Sequence, residues 1–292
     1  MMFNLFFSLA GVRGVAGITS LALAPGVRAQ TATIAVNDPR PLAKAADELE
    51  RLSGVPIHYE DVRYSYASDV VDVTDQVARP EARAKNPNLR VLIPRGGDLS
   101  AAPDLDKATG KVKNLDAALA GLLSAHVGKG LPGVYATNNV NGVHIIAPSK
   151  VLQTDGVLQP VSSVFEKPTS FPFQSRTLLE TLEIILAAVS TESGYKVSLG
   201  TAPLRLLAQT TVSLGATNES AQSVLLRLLA NSPAALSYRL FYSPSQHYYL
   251  FNLHVVGGLE PPHPPSNPNG QSIVGWREFQ VHQEVSRTEF DG

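Results

Sequence analysis

Two stretches of the sequence carry the same helical pattern, and this repetition constrains the fold more than any other feature. In Glu219–Ala230, apolar residues recur at the i, i+3, i+4, i+7, i+8 spacing of a helix with one buried face. The same spacing occurs 106 residues earlier, from Leu115 to Leu123. The repetition predicts that the chain contains two copies of one module.

A second pair of predicted helices supports the duplication. Pro41 opens a helix and Gly54 ends it, because proline is tolerated in the first helical turn and glycine readily adopts the conformation that terminates a helix. A longer apolar helix, from about Thr177 to Ser193, lies 140 residues further on and is ended by Gly194. Each copy is thus predicted to run strand, helix, strand, strand, helix and hairpin.

The two offsets also predict where the copies differ. The offset of 106 residues extends into the hairpin, where it matches Tyr135 with Phe241 and Ile145 with Phe251. Because this offset is smaller than the one between the first helices, the first copy is predicted to contain an insertion, in the loop-rich region of about 61–113. We therefore expect an α+β fold of two tandem small β-α-β-β-α-β-β modules, each with short mixed sheets packed on two helices.

The N-terminal segment, 1–29, is typical of a secretory signal peptide. Apolar Phe3–Ala10 is followed by Arg13 and by a second apolar run, Gly14–Ala24. Val27-Arg28-Ala29 then places small residues where signal peptidase cleaves, so that Gln30 becomes the new N-terminus. A short membrane anchor, or a start codon placed too early, is the alternative interpretation.

The remainder of the chain is predicted to be soluble after cleavage, and periplasmic or secreted. No later apolar run approaches the roughly 20 residues that a membrane-spanning helix needs. The sequence has no cysteine, which excludes disulfides, thiol catalysis and thiolate metal sites and is compatible with a bacterial periplasm or cell surface. The net charge of -1 gives no indication of a nucleic acid partner.

Composition and periodicity divide the chain into five predicted segments. They are a signal peptide (1–29), a first module (30–148), a linker (149–170), a second module (171–256), and a Pro-rich linker with a flexible tail (257–292). Within that tail, Trp276–Val281 alternates polar and apolar residues. The tail is therefore interpreted either as disordered or as a strand that pairs with a partner.

The predicted unit resembles the secretin and TonB-receptor short N-terminal (STN) domain. In that family a strand precedes an L-x-x-A-L-x-x-L helix that ends in S/T-G, and a strand, an L-x-x-A-L-x-x-L-L helix and a hairpin follow. The matching stretches are Leu42–Leu49 with Ser53-Gly54, Leu115–Leu123, Leu182–Val189 with Ser193-Gly194, and Ala221–Leu229. The resemblance covers most of residues 33–148 and 171–256 and implies a periplasmic docking or signalling module, although the insertion is foreign to the family.

No motif of the sequence predicts a catalytic residue, a cofactor or a metal. Ser193 and Lys196 match S-x-x-K, but that chemistry needs the serine at the start of a helix, and here it lies at a predicted helix end. None of the seven histidines forms an i, i+4 pair on a predicted helix, so the sequence does not indicate a zinc site.

Two groups of residues in the inserted region are candidates for binding a partner. One is an aromatic and charged cluster that follows a predicted strand, and the other is a flexible turn, Arg95-Gly96-Gly97-Asp98. Tyrosine and arginine are frequent interface anchors, and loops on a rigid scaffold often carry function. The candidate partner-binding residues are His58, Tyr59, Arg63, Tyr64, Tyr66, Arg95 and Asp98.

Together these features predict an exported, non-catalytic interaction protein of the bacterial envelope. It would contact an envelope protein through an exposed sheet edge or through the insertion. The alternative is a periplasmic enzyme or small-ligand binder with its site between the two modules.

Overall fold

The computed structural model describes residues 33–140 and 142–257, in which helices and strands alternate in an α+β fold. In the first half the elements are β1 (Ile34–Asp38), α1 (Pro41–Ser53), β2 (Ile57–Glu60), β3 (Val70–Asp72), α2 (Thr74–Val77), α3 (Pro80–Lys85), β4 (Leu92–Pro94), β5 (Gly97–Ala101), α4 (Leu115–Gly128), β6 (Val134–Val140) and β7 (Val143–Leu152). In the second half they are β8 (Leu158–Pro160), β9 (Pro168–Thr177), α5 (Leu178–Ser193), β10 (Val197–Leu199), α6 (Leu204–Gln209), β11 (Thr211–Ser220), α7 (Ala221–Ala230), β12 (Leu236–Ser243) and β13 (Tyr248–Val255).

Helices α1 and α5 begin and end where the sequence predicts. Pro41 occupies the first turn of α1, and Gly54 closes the helix in the left-handed conformation with φ 71°. At the start of α5, Thr177 and Glu180 cap each other's backbone N–H groups, and Gly194 ends the helix with φ 70°. These local signals favour the observed helix ends, and burial of the apolar faces of α1 and α5 adds to the stability of both helices.

One seven-stranded sheet runs through both halves. Its order is β10-β13-β12-β2-β7-β6, and β8 pairs with the end of β7. Each half contributes three strands that belong to the repeat, namely β2, β7 and β6 from the first and β10, β13 and β12 from the second. The halves meet where β12 pairs in parallel with β2, and we call this contact the join.

The two sets of three strands are turned over relative to each other. In each set, two strands are parallel and the hairpin partner is antiparallel. Because β12 is the antiparallel strand of its own set and yet runs parallel to β2, the sets point in opposite directions. A half-turn about an axis in the plane of the sheet reverses strand direction and exchanges the faces. The first half therefore packs α1 and α4 on one face, and the second half packs α5 and α7 on the other.

The side chains at the join confirm this exchange of faces. Arg239 of β12 bonds to Asp47 of α1 on the face of the first half. On the opposite face, Tyr238 contacts Phe165, which lies in a short 3₁₀ turn against α5 and α7. Neighbouring residues of β12 therefore pack on opposite faces of the sheet, each against a different half.

The offset predicted for the second half of each copy is correct for the helices and wrong for the hairpin. Phe251 pairs with Leu199 of β10, and Ile146 pairs with Tyr59 of β2, the position that matches Leu199. The counterpart of Phe251 is therefore Ile146, one residue from the prediction. On the first hairpin strand the shift is three residues, since Leu240 pairs with Phe251 and Thr137 with Ile146.

Helix length explains the shifted register. α4 has 14 residues and α7 has 10, so the first copy has one additional turn before its hairpin. An odd shift moves a strand residue to the opposite face. As a result Tyr135 matches Tyr238, whereas Phe241 points away from its own helices and contacts Tyr59 and Arg40 of the first half.

Two smaller sheets complete the repeat. β1 pairs with β5, and β9 pairs with β11, both antiparallel. β5 lies inside the region predicted as an insertion, but it is the counterpart of β11 and its Leu99 is buried. The extra residues of the first copy instead fall on both sides of β5, in 61–96 and 102–114, and the first of these stretches contains the antiparallel pair β3–β4.

The predicted linker, 149–170, is ordered and packed. Its first residues continue β7, and Leu158–Pro160 forms β8 on the same strand. Phe165 is fully buried between Tyr238 and Phe251. Its apolar ring fills the core of the second half, and the local sequence shows no periodicity that would have indicated this. The predicted signal peptide and the tail from residue 258 lie outside the described residues, and so do the domain boundaries that depend on them.

Candidate protein-interaction site

Asp61 occupies the centre of the join on the face of the first half. Its side chain is fully buried and accepts hydrogen bonds from the hydroxyls of Tyr59 at 2.7 Å and Tyr64 at 3.0 Å. Its other oxygen accepts from Arg40 Nε at 2.6 Å and from the backbone N–H of Tyr242 at 3.0 Å. The Arg40 guanidinium also donates to the Tyr242 carbonyl, so one carboxylate and one guanidinium connect α1, β2 and β12.

A second ion-pair network lies further along the same face. Arg239 of β12 donates to Asp47 of α1 at 2.6 Å and to the carbonyl of Ile57 at 2.6 Å. Glu50 accepts from the Ile57 N–H at 2.9 Å, and its other oxygen lies 2.5 Å from His254 Nε2. Burial alone would raise the pKa of Glu50, but the contact with His254 and the charge of Arg239 hold it at about 2.

The opposite face of the join contains a buried glutamate and a neutral histidine. Burial raises the pKa of Glu60 to about 7, although the Tyr238 hydroxyl donates to its Oε1 at 2.7 Å. Burial and the charge of Arg239 lower the pKa of His58 to about 3, so its Nδ1 accepts from the Tyr238 N–H at 3.2 Å. Polar contacts on both faces of the join thus connect the halves, while Oε2 of Glu60 is buried without a hydrogen-bond partner.

The structure removes three of the predicted partner-binding residues from the surface. His58 and Tyr59 are each 1% exposed and Tyr64 is 9% exposed. His58 and Tyr59 lie within β2 and Tyr64 follows it, and β2 is central in the sheet and covered on both faces. Their polar atoms are used within the join, so these three residues cannot contact a partner.

The other four predicted residues lie nearer the surface, at separate places. Arg63 is half-buried, and its Nη1 donates to the hydroxyl of Tyr195 in the second half at 2.6 Å. Tyr66 is half-buried, while Arg95, at the turn between β4 and β5, and Asp98, in β5, are exposed. That turn is closely packed, since a Cβ at Gly96 would lie 1.9 Å from the Asp38 carbonyl oxygen.

The strands with an open side fall into two classes. Among the described strands, β6 and β10, the two ends of the seven-stranded sheet, contain neither a charged residue nor a proline. Charge and proline are the usual means by which proteins protect an open edge from pairing with another strand. The other strands with an open side carry such residues: Asp38 in β1, Asp72 in β3, Pro94 in β4, Asp98 in β5, Pro160 in β8, Pro168, Pro172 and Arg176 in β9, and Glu219 in β11.

β6 is the longer of the two unprotected edges. It runs for seven residues, Val134–Val140, and pairs only with β7 among the described strands. Tyr135 anchors the strand in the core, where its ring meets His126 edge-on. Ala136, Asn138 and Asn139 are exposed. The strand is thus held firmly on one side and presents an uncharged edge on the other.

Two hollows are lined by residues of the first half alone. A groove of about 340 Å³ runs between β1 and α1, within the first half. A cavity of about 10 Å³ beside Tyr59 and Tyr135 has room for a single water molecule. Within the described ranges, 33–140 and 142–257, no group of three or more histidine and carboxylate side chains could hold a metal ion.

Sequence reasoning missed both the residues of the join and the edge of β6. A charge inside a strand that is otherwise apolar and aromatic, as with Arg239 in Leu236–Ser243, was the available signal for a buried ion pair. For β6, the signal was an entire strand without charge or proline. Neither signal shows which strands become neighbours, because that depends on contacts distant in sequence.

Comparisons with known proteins give no match: no family model, no curated protein and no solved structure is similar to this chain. The resemblance to the STN domain therefore stays a prediction. In the part of the chain that the structure describes, the helices are all too short or too polar to cross a membrane.

Proposed function

We propose that this chain is an exported, non-catalytic docking protein of the bacterial envelope that binds a protein partner along the outer edge of β6. The observation that carries the proposal is the uncharged, proline-free edge of seven residues at the end of a rigid sheet. An extended segment of a partner can add to such an edge through main-chain hydrogen bonds. The export and the envelope location rest on the predicted signal peptide.

The rigid support of β6 favours this function. The strand is tied to β7 through seven residue pairs, and β7 continues through β2 and the join into the second half. A docking strand that is already ordered loses little conformational entropy when a partner binds. The alternative, an enzyme or ligand site between the modules, has less support because side chains of both halves fill the join.

Site-specific photo-crosslinking in intact cells tests the proposal. A photoreactive residue at Asn138, on the edge of β6, is expected to form an adduct with a partner protein. The same residue at Ala120, an exposed position on α4, is the matched control, and a third position, Lys85 on α3, reports on the insertion. Adducts at Asn138 alone support docking at β6.

Ala136→Lys/Asn138→Lys is expected to abolish the interaction, because two lysines place charge along the edge. Ala117→Lys/Ala120→Lys, which adds the same charge to an exposed part of α4, should leave it unchanged. Adducts at Lys85 with none at Asn138 would contradict the proposed site and assign the partner to the insertion.

A further inference from the structure

The join shows how the two edges of this module pair. β12 and β6 occupy the same position in the two copies, as do β2 and β10. Inside the chain, β12 of the second copy pairs in parallel with β2 of the first. The strands left over, β6 and β10, form the two open ends of the sheet. Among the described strands with an open side, they are the two that contain neither a charged residue nor a proline.

We infer that β6 of one chain pairs in parallel with β10 of a second copy, so that the chain assembles head to tail through a repetition of its own join. The inference rests on the proposed docking role of β6 and names the partner as a second copy. Both edges are neutral, so no like charges oppose their approach.

The backbone of β6 has the orientation that the pairing requires. In β12, three residues direct backbone groups towards β2. The Leu240 carbonyl accepts from the Asp61 N–H at 2.8 Å, and the N–H groups of Tyr238 and Tyr242 donate to side chains of the first half. By register, the matching residues of β6 are Tyr135, Thr137 and Asn139.

The facing residues in β10 and just after it retain acceptor groups. The backbone N–H groups of β12 donate to two side chains of the first half, those of His58 and Asp61. At the offset of 140, the matching residues are Ser198 and Thr201, whose hydroxyls can accept a hydrogen bond. The ladder of the join consists of two residue pairs, at Tyr59 and Glu60, and the matching residues are Leu199, the last of β10, and Gly200, which follows it.

The outer pairing should nonetheless be weaker than the join. Ala136 takes the place of Arg239, and therefore no ion pair to a neighbouring helix can form. In addition, the N–H of Thr201 donates to Asn252 Oδ1 at 2.8 Å, and this exposed contact must open first. The expected assembly is reversible and depends on concentration. Since its two surfaces differ, it is open-ended and extends beyond a dimer.

Sedimentation velocity of the full chain and two edge variants tests the inference. Ala136→Lys/Asn138→Lys blocks β6, and Thr201→Lys blocks β10, while Ala117→Lys/Ala120→Lys is the charge-matched control on α4. The wild type and the control should show species larger than dimers that increase with concentration. Each edge variant alone should remain monomeric, and an equal mixture of the two should form a 1:1 dimer through the one intact pair of edges.

Two results would overturn the inference. A wild-type chain that stays monomeric up to on the order of 1 mM has no useful affinity between the edges. A dimer abolished by the β6 lysines and untouched by Thr201→Lys would mean that β6 pairs with itself around a two-fold axis. In both cases, adducts of another protein at Asn138 in cells would leave the proposed docking function intact.

Discussion

The join and the free edge of β6 occupy the same place in the repeat, yet they differ in composition. At the join, β12 brings Arg239 against Asp47 and Glu50, and Asp61, which follows β2, accepts four hydrogen bonds. The edge of β6 offers backbone groups and uncharged side chains. Buried charged pairs contribute specificity of geometry more than net stability, and removing one partner is costly. The comparison suggests that one module edge became a fixed internal contact while its counterpart remained able to exchange partners.

The largest expected effect comes from removing the carboxylate at the centre of the join. Asp61→Ala leaves the Arg40 guanidinium and two tyrosine hydroxyls without their acceptor, and should lower the free energy of unfolding by about 3 to 5 kcal/mol. Urea denaturation followed by circular dichroism measures this loss. Thr201→Ala, at the matching position beside the open edge, should cost less than about 1 kcal/mol. Equal losses in the two variants would mean that the join and the edge do not differ as described.

The pH dependence of stability distinguishes the join from the edge in a second way. Because the pKa of Glu60 is raised to about 7, its contribution to stability is fully present below about pH 4.5 and is lost as the pH rises through 7. The loss is about 3 kcal/mol, at 1.36 kcal/mol per pKa unit. Glu60→Gln should therefore remove this part of the decline between pH 5 and pH 8. If the unfolding free energies of the wild type and the variant change by the same amount across that pH range, the assignment to Glu60 is contradicted.

The smallest effect on stability is expected at the edge itself. Ala136 and Asn138 are exposed and lie on a strand that β7 already holds, so Ala136→Lys/Asn138→Lys should change the unfolding free energy by less than about 1 kcal/mol. Thermal and urea unfolding of the variant beside the α4 control measure the change. A loss comparable to that of Asp61→Ala would show that β6 depends on its open side and is not an independent docking edge.

The sequence predicted local structure well because its signals are local. Pro41, Gly54, Thr177 and Gly194 define helix ends through their own backbone preferences, and those ends are confirmed. The hairpin register was misjudged, because an additional turn of α4 leaves the spacing of apolar residues similar and changes which face they occupy. The buried role of Phe165 was missed for a related reason, since a single aromatic residue in an irregular segment has no periodicity.

The candidate site was less predictable than the fold. Tyr59 and Tyr64 were expected at the surface because they follow a strand within a loop-rich region, and nothing local shows that β12, from a distant part of the chain, covers this strand. Burial is a property of the assembled sheet. The open edge of β6 likewise becomes visible only when the strand order is known.

The pairing of Tyr59 with Arg239 also sets the order in which the molecule can form. Local contacts such as those of α1 with β1 can form early, while the contact across the join closes a loop of most of the chain. As the chain is synthesised from its N-terminus, the first half is complete before β12 exists, and the outer side of β2 is then an open edge beside the ion pair of Asp61 with Arg40. A charged residue on an exposed strand discourages pairing with the wrong chain. We therefore expect the Asp61 carboxylate to discourage wrong pairing of the incomplete molecule before it accepts the Tyr242 N–H of β12 in the finished one.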